Sequence, residues 1–153
     1  MNLNEETEAL RRIPFFAAVD PAKIKLLAFT SERLAFPQGT ALFREGDPGD
    51  AAYLILEGDA DVIVQSPEGP VHVAKLAKHS FTGEVALICN VPRTATVAAA
   101  SSLVALKIGK DTFFQLLRDV PQLAFEVMRE LAVRLDNTND RLRDAEAKLR
   151  ALH

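Results

Sequence analysis

The stretch FTGEVALICNVPRTATVAAA, residues 81–100, contains two formally charged side chains, Glu84 and Arg93, in an otherwise mostly apolar segment. A segment this apolar predicts that both charges are buried, and buried charges are tolerated only when something pairs with them. Two arrangements meet that requirement: an internal Glu84–Arg93 salt bridge, or a ligand held between the two side chains. The residue types alone do not choose between these arrangements.

If a ligand is present, the surrounding residues suit an anion next to a hydroxyl group. Gly83 lets the backbone approach a ligand closely, and residues 84–89 predict a short helix whose first N–H groups are unpaired. Arg93 carries a planar guanidinium that can bind two phosphate oxygens. The Glu84 carboxylate does not favour the same anion, but it can accept a hydrogen bond from a sugar hydroxyl. These residue types therefore favour a sugar phosphate.

Composition and charge indicate one soluble globular domain. The chain has 153 residues, of which 48% are hydrophobic and 25% charged, enough for a single substantial core. The net charge of −3 offers no basic footprint for nucleic acid. The polar N-terminus is unlike a signal peptide, no apolar run is long enough to span a bilayer, and the single cysteine, Cys89, excludes an intramolecular disulfide. We expect a cytoplasmic protein with no membrane attachment and no direct DNA binding.

The periodicity of apolar residues changes twice and divides the chain 1–153 into three parts. Residues 3–31 predict two short helices. Residues 32–109 predict many short strands, rich in Val, Ile, Leu and Ala and separated by turns that contain Gly and Pro. Residues 110–152 return to helical periodicity, with Pro121 at the start of a long last helix. A single mainly β domain with flanking helices is therefore expected, either a β-sandwich or a jelly roll.

The last helix carries an apolar seam at alternating spacings of three and four residues. Arg141 and Glu146 fall beside the seam, where they could pair across a parallel dimer. We expect a homodimer through this helix, because the seam extends beyond what a small barrel can cover. The alternative is a long amphipathic helix that lies on its own β domain. The seam consists of Met128, Leu131, Leu135, Thr138, Leu142, Ala145, Leu149 and Leu152.

Residues 81–100 resemble the phosphate-binding cassette of the cyclic nucleotide-binding domain family. The family pattern is approximately F-G-E-x-A-L, a few residues, and then P-R-T/S-A-T/S; the chain has GEVAL at 83–87 and PRTAT at 92–96. IPFFAAVD at 13–20 looks like the family's opening helix and loop, and REGDPGDAAYLILEGDADVIV at 44–64 looks like its first β-hairpins. The resemblance implies a β jelly roll (double-stranded β-helix) with N-terminal helices and a long C-terminal helix.

The resemblance also implies a ligand, cyclic AMP or cyclic GMP, that is bound and not hydrolysed. Arg93 would bind the cyclic phosphate and Glu84 the ribose 2′-hydroxyl. Backbone N–H groups near Gly83, with Val85 among the binding residues, and the N–H of Thr94 would complete the phosphate cradle. Such a domain would be an allosteric sensor that signals through its terminal helices to an unidentified effector protein. The alternative is a ligand-independent dimerisation or interaction module that keeps the fold.

The segment ELAVRLDNTND, residues 130–140, resembles the central dimer helix of the bacterial catabolite activator proteins. Thr138 falls where that family has a threonine that contacts adenine, and Asn139 where a polar residue reaches in from the partner protomer. The alternative is that Thr138 is a tolerated polar residue within the seam. The chain departs from the family at KHSF, residues 78–81, where a glycine is usual, and at Thr82, where an apolar residue is frequent.

No catalytic or metal-binding constellation stands out in the sequence. The three histidines, His72, His79 and His153, lack the tight His/Glu cluster that a jelly-roll metalloenzyme needs, so we expect them at the surface. Cys89 is expected to be a small buried side chain. We expect a non-enzymatic domain with no metal or cofactor. The catabolite activators carry a helix-turn-helix domain after the dimer helix, and here only a stand-alone sensor or an excised fragment is expected.

Overall fold

The structure is a computed structural model that describes residues 3–17 and 19–152. Within these residues eight strands form two four-stranded sheets, in which every strand pair is antiparallel. The strands are β1 (Glu32–Phe36), β2 (Ala41–Phe43), β3 (Ala51–Glu57), β4 (Ala60–Ser66), β5 (Gly69–Leu76), β6 (Phe81–Thr82), β7 (Thr96–Ala99) and β8 (Leu103–Gly109). One sheet has the order β1-β8-β3-β6 and the other β2-β7-β4-β5.

Helices flank the sheets at both ends of the chain, and a short one lies within the cassette. The Asp20 side chain caps the second helix by accepting a hydrogen bond of 2.9 Å from the Ala22 N–H, while Pro21 takes the first helical position, where a missing N–H costs nothing. The helices are α1 (Leu3–Arg11), a 3-10 turn (Pro14–Phe16), α2 (Pro21–Thr30), α3 (Glu84–Ile88), α4 (Lys110–Asp119) and α5 (Pro121–Ala151). The predicted jelly roll with N-terminal helices and a long C-terminal helix is therefore confirmed.

Strand β3 lies between the two parts of the hydrophobic core. Ala52 and Leu54 belong to the cluster under the helices, whereas Tyr53 and Ile55 belong to the cluster between the sheets. Successive side chains of a strand point to opposite faces, so a strand that is buried on both faces needs a continuous apolar run. The run AAYLI at residues 51–55 satisfies this requirement, and all five of its residues are buried.

The turn before β6 shows how the chain manages without the glycine that is usual in this segment. His79 has a φ of +73°, which lies in the left-handed region that favours glycine and is tolerated best by Asn, Asp and His among other residues. Its N–H donates to the Ile55 carbonyl at 2.7 Å, and the Ile55 N–H donates to the Ser80 carbonyl at 3.0 Å. The KHSF departure therefore leaves a glycine-like turn in place. Strand β6 was not predicted, since a strand of two residues is too short to show an alternation of apolar and polar residues.

Helix α5 is buried at its start and exposed along most of its length. Leu123 and Val127 are buried, whereas Leu135, Leu142 and Leu149 of the predicted seam are exposed. An exposed row of leucines is consistent with a partner helix, and the homodimer stays a prediction. Within residues 3–17 and 19–152, no helix combines the length and the apolar composition needed to cross a membrane.

Candidate functional site

A cavity of about 780 Å³ lies between the cassette and α5. Its volume falls within the range of small-molecule pockets, roughly 300–1,000 Å³. Side chains from β2, β4 and β5 complete the wall on the side of the sheets. Six of the seven predicted ligand-binding residues line this one cavity: Gly83, Glu84, Val85, Arg93, Thr94 and Thr138. The seventh, Asn139, is exposed and does not line the cavity of its own chain, so its predicted role depends on a partner protomer.

Arg93 is the most enclosed charged group of the site, with a side chain that is only 1% exposed. Its Nη1 donates to the Gly83 carbonyl at 2.9 Å and its Nη2 to the Ala51 carbonyl at 2.7 Å. The Asp50 carboxylate lies 3.6 Å from Nη2, and the ring of Phe43 lies 4.1 Å from the guanidinium carbon. The Nε atom is buried with no hydrogen-bond partner among the described residues. Burial lowers the pKa of Arg93, but a guanidinium keeps its proton in proteins.

Glu84, the first residue of α3, is 2% exposed. Its Oε1 accepts a hydrogen bond of 2.7 Å from Nη1 of Arg134 on α5. Its Oε2 is buried and has no hydrogen-bond partner among the described residues. Burial raises the pKa of Glu84, and the Arg134 cation partly offsets that rise. The carboxylate therefore keeps one acceptor atom available at the cavity.

The internal Glu84–Arg93 salt bridge, one of the two arrangements left open by the sequence, is not the arrangement found. Glu84 pairs with Arg134, and Arg93 donates to main-chain carbonyls. Arg134 lies 50 residues after Glu84 in the chain, so no local sequence pattern predicts their contact. One signal was present: Arg134 lies four residues before Thr138, which puts both on the same face of α5. Arg134 was not predicted as a site residue, because the sequence argument for the last helix rested on the residues of its apolar seam.

Two arginines hold α5 against the β-roll. Arg134 Nη2 donates to the Phe81 carbonyl, and Arg141 Nη1 donates to the Val73 carbonyl of β5. The two arginines are seven residues apart and therefore lie on one face of the helix. Arg141 was expected to pair with Glu146 across a dimer. In this structure its side chain instead contacts strand β5 of its own chain, so that pairing would need a different conformation of Arg141.

Thr138 lies between these two arginines and lines the cavity. Its Oγ1 donates to the Arg134 carbonyl at 2.9 Å, a bond within the helix from residue i to i−4. The hydroxyl can still accept a hydrogen bond, since its oxygen has two lone pairs.

The remaining reactive side chains lie away from the cavity. Cys89 is exposed, so the expectation of a buried cysteine was wrong; the short α3 ends at Ile88, and Cys89 caps it at the surface. His72 is exposed and lies 2.8 Å from Asp61, and His79 is half-buried in its turn. His153 lies outside the described residues. Residues 3–17 and 19–152 contain no cluster of three or more His, Cys, Asp or Glu side chains that could hold a metal ion.

The structure is thus a jelly roll that buries an arginine, Arg93, and a glutamate, Glu84, on one cavity. A family model described as the cyclic nucleotide-binding domain matches residues 33–120. The chain belongs to the cyclic nucleotide-binding domain family.

Two curated relatives of the chain are named as regulatory proteins. It is 30% identical over 138 residues to a CRP-like cAMP-activated global transcriptional regulator of Mycobacterium tuberculosis, covering 90% of this chain and 62% of the relative. It is 33% identical over 114 residues to a cAMP-dependent protein kinase regulatory subunit of Aspergillus niger, covering 74% of this chain and 27% of the relative. The chain thus spans less than two thirds of the length of these relatives.

Two solved structures of protein kinase A regulatory proteins share this fold. The regulatory domain of Toxoplasma gondii PKA with cAMP matches with a TM-score of 0.73 and 25% identity, covering 84% of this chain and 50% of that chain. The regulatory subunit of a cAMP-independent protein kinase A from Trypanosoma brucei matches with a TM-score of 0.73 and 26% identity, covering 84% of this chain and 48% of that chain.

We expect Gly83→Ala to disturb the Arg93 site and to lower the free energy of unfolding. Gly83 has a φ of +86°, and an added Cβ would lie 2.7 Å from Arg93 Nη1 and 3.2 Å from the Ala51 carbonyl oxygen. Backbone strain and overlap together should cost about 2 kcal/mol or more in urea denaturation. The matched control is Gly39→Ala, which has a φ of +87° and no atom within 4 Å of the added Cβ. Equal losses in both variants would contradict the crowding at Gly83.

The raised pKa of Glu84 predicts a pH dependence of stability. Its folded-state pKa lies above the ordinary 4.5, so the protonated carboxyl contributes stability at low pH, and this contribution is lost as pH rises through the folded-state pKa. Glu84→Gln should therefore gain stability relative to wild type as pH rises above the ordinary pKa of 4.5. Arg134→Gln should move the loss to higher pH, because it removes the cation that lowers the pKa. Denaturation at stepped pH measures both, and a constant difference between wild type and Glu84→Gln would refute the effect.

Proposed function

We propose that this chain is a non-enzymatic regulatory sensor domain that binds a cyclic nucleotide, cyclic AMP or cyclic GMP. One observation carries the proposal: Glu84 and Arg93 are buried on one cavity, are not paired with each other, and each has a polar atom without a hydrogen-bond partner. Buried polar atoms in native proteins are nearly always paired, so an unpaired atom calls for a ligand or an ordered water. A sugar phosphate supplies an acceptor for Arg93 and a donor for Glu84.

In this proposal Arg93 binds the cyclic phosphate, with help from main-chain N–H groups near Gly83, Val85 and Thr94. The Nε–H of Arg93 is buried and has no hydrogen-bond partner among the described residues, whereas Nη1 and Nη2 already donate to carbonyls. A phosphate that meets two guanidinium nitrogens must therefore replace at least one carbonyl partner. The replacement favours the phosphate, because a phosphate oxygen carries a negative charge that a carbonyl oxygen lacks, and an arginine can bind a phosphate through two parallel hydrogen bonds.

Glu84 is proposed to read the ribose and to connect it to α5. Its Oε2 can accept a bond from the 2′-hydroxyl while Oε1 keeps its bond to Arg134. The ligand and α5 would then share one carboxylate, so that ligand binding and the position of the helix influence each other. A difference in ligand affinity between two helix positions is what an allosteric signal to an effector protein requires.

The base is proposed to lie against α5, where Thr138 contacts it and Asn139 reaches in from a partner protomer. The position of Thr138 on the cavity wall supports the first contact, and the exposure of Asn139 is compatible with the second. The second contact needs a homodimer through α5, which the exposed leucines of the seam support. We propose no DNA, membrane or metal partner for the domain, and a cytoplasmic location.

A second candidate function is a dimerisation or interaction module that binds no nucleotide. The two carbonyl bonds of Arg93 favour it, because they give the arginine a structural role that needs no ligand. The similar regulatory subunit from Trypanosoma brucei belongs to a protein kinase A that is described as cAMP-independent, which supports a role of this chain without cAMP. Titration calorimetry of ligand-stripped protein with cyclic AMP and cyclic GMP separates the candidates, since the second predicts no binding of either nucleotide.

Arg93→Ala is expected to weaken nucleotide binding by about a hundredfold or more, because it removes two charge-assisted hydrogen bonds of roughly 1.5–3 kcal/mol each. Arg93→Lys should also bind poorly, since an ammonium does not reproduce the planar fork. Calorimetry would be run at a temperature where circular dichroism shows each variant folded, because both changes leave carbonyls unpaired. An unchanged dissociation constant in a folded Arg93→Ala variant would exclude the assignment.

The ribose contact predicts a preference for the 2′-hydroxyl. The 2′-deoxy form of cyclic AMP should bind wild type roughly tenfold or more weakly, because it lacks a hydrogen bond to a charged acceptor worth about 1.5–3 kcal/mol. In Glu84→Gln the gap between the two ligands should shrink, since the acceptor is then neutral. Equal affinities of wild type for both ligands would assign Glu84 to structure alone.

The dimer and the base contact predict that nucleotide tightens self-association, because linkage makes the coupling reciprocal. Sedimentation of wild type should show a dimer that persists to lower concentration with ligand, whereas Leu149→Asp should be monomeric. Ala147→Asp is the matched control, being exposed on the same turns but off the seam. Thr138→Ala should weaken binding by about tenfold, as expected for one hydrogen bond. A wild-type protein that stays monomeric with ligand bound would overturn the predicted dimer. Normal ligand affinity in Thr138→Ala would overturn the predicted base contact.

A further inference from the structure

An aromatic ring lies against the Arg93 guanidinium. The guanidinium carbon is 4.1 Å from the centroid of the Phe43 ring, well within the distance of about 6 Å that defines a cation–π contact. The Phe43 ring packs in turn on Tyr53, with centroids 5.8 Å apart, and Tyr53 packs edge-on against Phe36 at 6.4 Å. The ring under Arg93 is therefore supported from behind by two further aromatic side chains.

Two features of the backbone bring Phe43 to Arg93. The pairing of β2 with β7 is irregular between Ala41 and Phe43, and such irregularities redirect side chains next to functional sites. Gly83 leaves the space in which ring and guanidinium meet, since a Cβ there would lie 2.7 Å from Arg93 Nη1 and 3.3 Å from Phe43 Cε2. The contact thus depends on a strand irregularity and on a missing side chain.

The Phe43 ring restrains the tilting of the Arg93 guanidinium, a motion that the hydrogen bonds of Arg93 do not prevent. The bonds to the Gly83 and Ala51 carbonyls fix the guanidinium within its own plane. They do not prevent the plane from tilting, which a contact on its face does. Asp50 is a weak restraint, because its side chain is 73% exposed and lies 3.6 Å away.

We propose that Phe43 is a positioning residue for anion recognition: its ring holds the Arg93 guanidinium so that the unpaired Nε–H edge stays available to a phosphate oxygen of the ligand. The identity of that ligand rests on the proposed function, whereas the ring contact does not. An aliphatic side chain of similar size fills the space but lacks the negative ring face that attracts the cation. The negative charge on the face of the ring, rather than the volume of the side chain at position 43, then sets the affinity for the anion.

Stepwise fluorination of Phe43 tests this inference, because fluorine withdraws the negative charge of the ring face with little change in shape. Full-length protein would carry 4-fluoro-, 3,5-difluoro- or 3,4,5-trifluorophenylalanine at position 43. The affinity for cyclic AMP, measured by calorimetry, should weaken in that order. The trifluoro variant should bind roughly three- to thirtyfold more weakly than wild type. The matched control is the same series at Phe36, which packs on Tyr53 in the same aromatic group and should leave the affinity flat. A flat series at position 43 in protein that binds cyclic AMP would overturn the proposal.

A second measurement needs no ligand. The Nε–Hε signal of Arg93 in an NMR spectrum should be shifted upfield by the ring current of Phe43, and it is identified by its loss in Arg93→Lys. Phe43→Leu should remove the shift and Phe43→Tyr should keep it. An Arg93 signal at the same position in wild type and Phe43→Leu would overturn the positioning role. Wild type that keeps the ring-current shift but binds neither cyclic AMP nor cyclic GMP would instead refute the proposed function and leave the contact established.

Discussion

The burial of a single guanidinium, that of Arg93, is the constraint on which the site depends. Its side chain joins the start of β3 at Ala51 and the turn before α3 at Gly83. Its main chain pairs with a third segment, since the Arg93 N–H donates to the Asp47 carbonyl and its own carbonyl accepts from the Gly46 N–H. Removing the guanidinium would leave buried carbonyls unpaired, at a cost of roughly 1–3 kcal/mol each. The cassette therefore keeps its shape because the side chain and the main chain of one residue together join three segments.

The buried carboxylate of Glu84 follows from the same constraint. Since Arg93 is engaged by carbonyls, Glu84 takes its cation from α5, in the form of Arg134. A buried charge without a partner would be far more costly than the pair. This choice of partner connects the cavity to α5, the helix that carries the exposed leucines Leu135, Leu142 and Leu149.

Local departures from the family pattern are absorbed by the backbone and do not reach the charged groups. His79 adopts the left-handed conformation in place of a glycine, and two main-chain hydrogen bonds to Ile55 hold the turn. Thr82 is buried where an apolar residue is frequent, and its strand still pairs with β3 opposite Tyr53. The features that differ from the family thus lie around the site, and the charged groups that define the site remain.

The sequence by itself determined the class of fold, the order of its parts and six of the residues that line the cavity. The strands were predicted to begin at residue 32 and the long last helix at Pro121, because period, turn residues and helix-start residues are local signals that a short window contains. Only the tertiary structure decided which groups meet: Arg93 with the Ala51 carbonyl, 42 residues away, and Glu84 with Arg134. Such pairings are long-range and follow from how sheets and helix pack, and the exposure of Cys89 was decided in the same way. A pattern along the chain records which side chains must be paired, whereas packing chooses their partners.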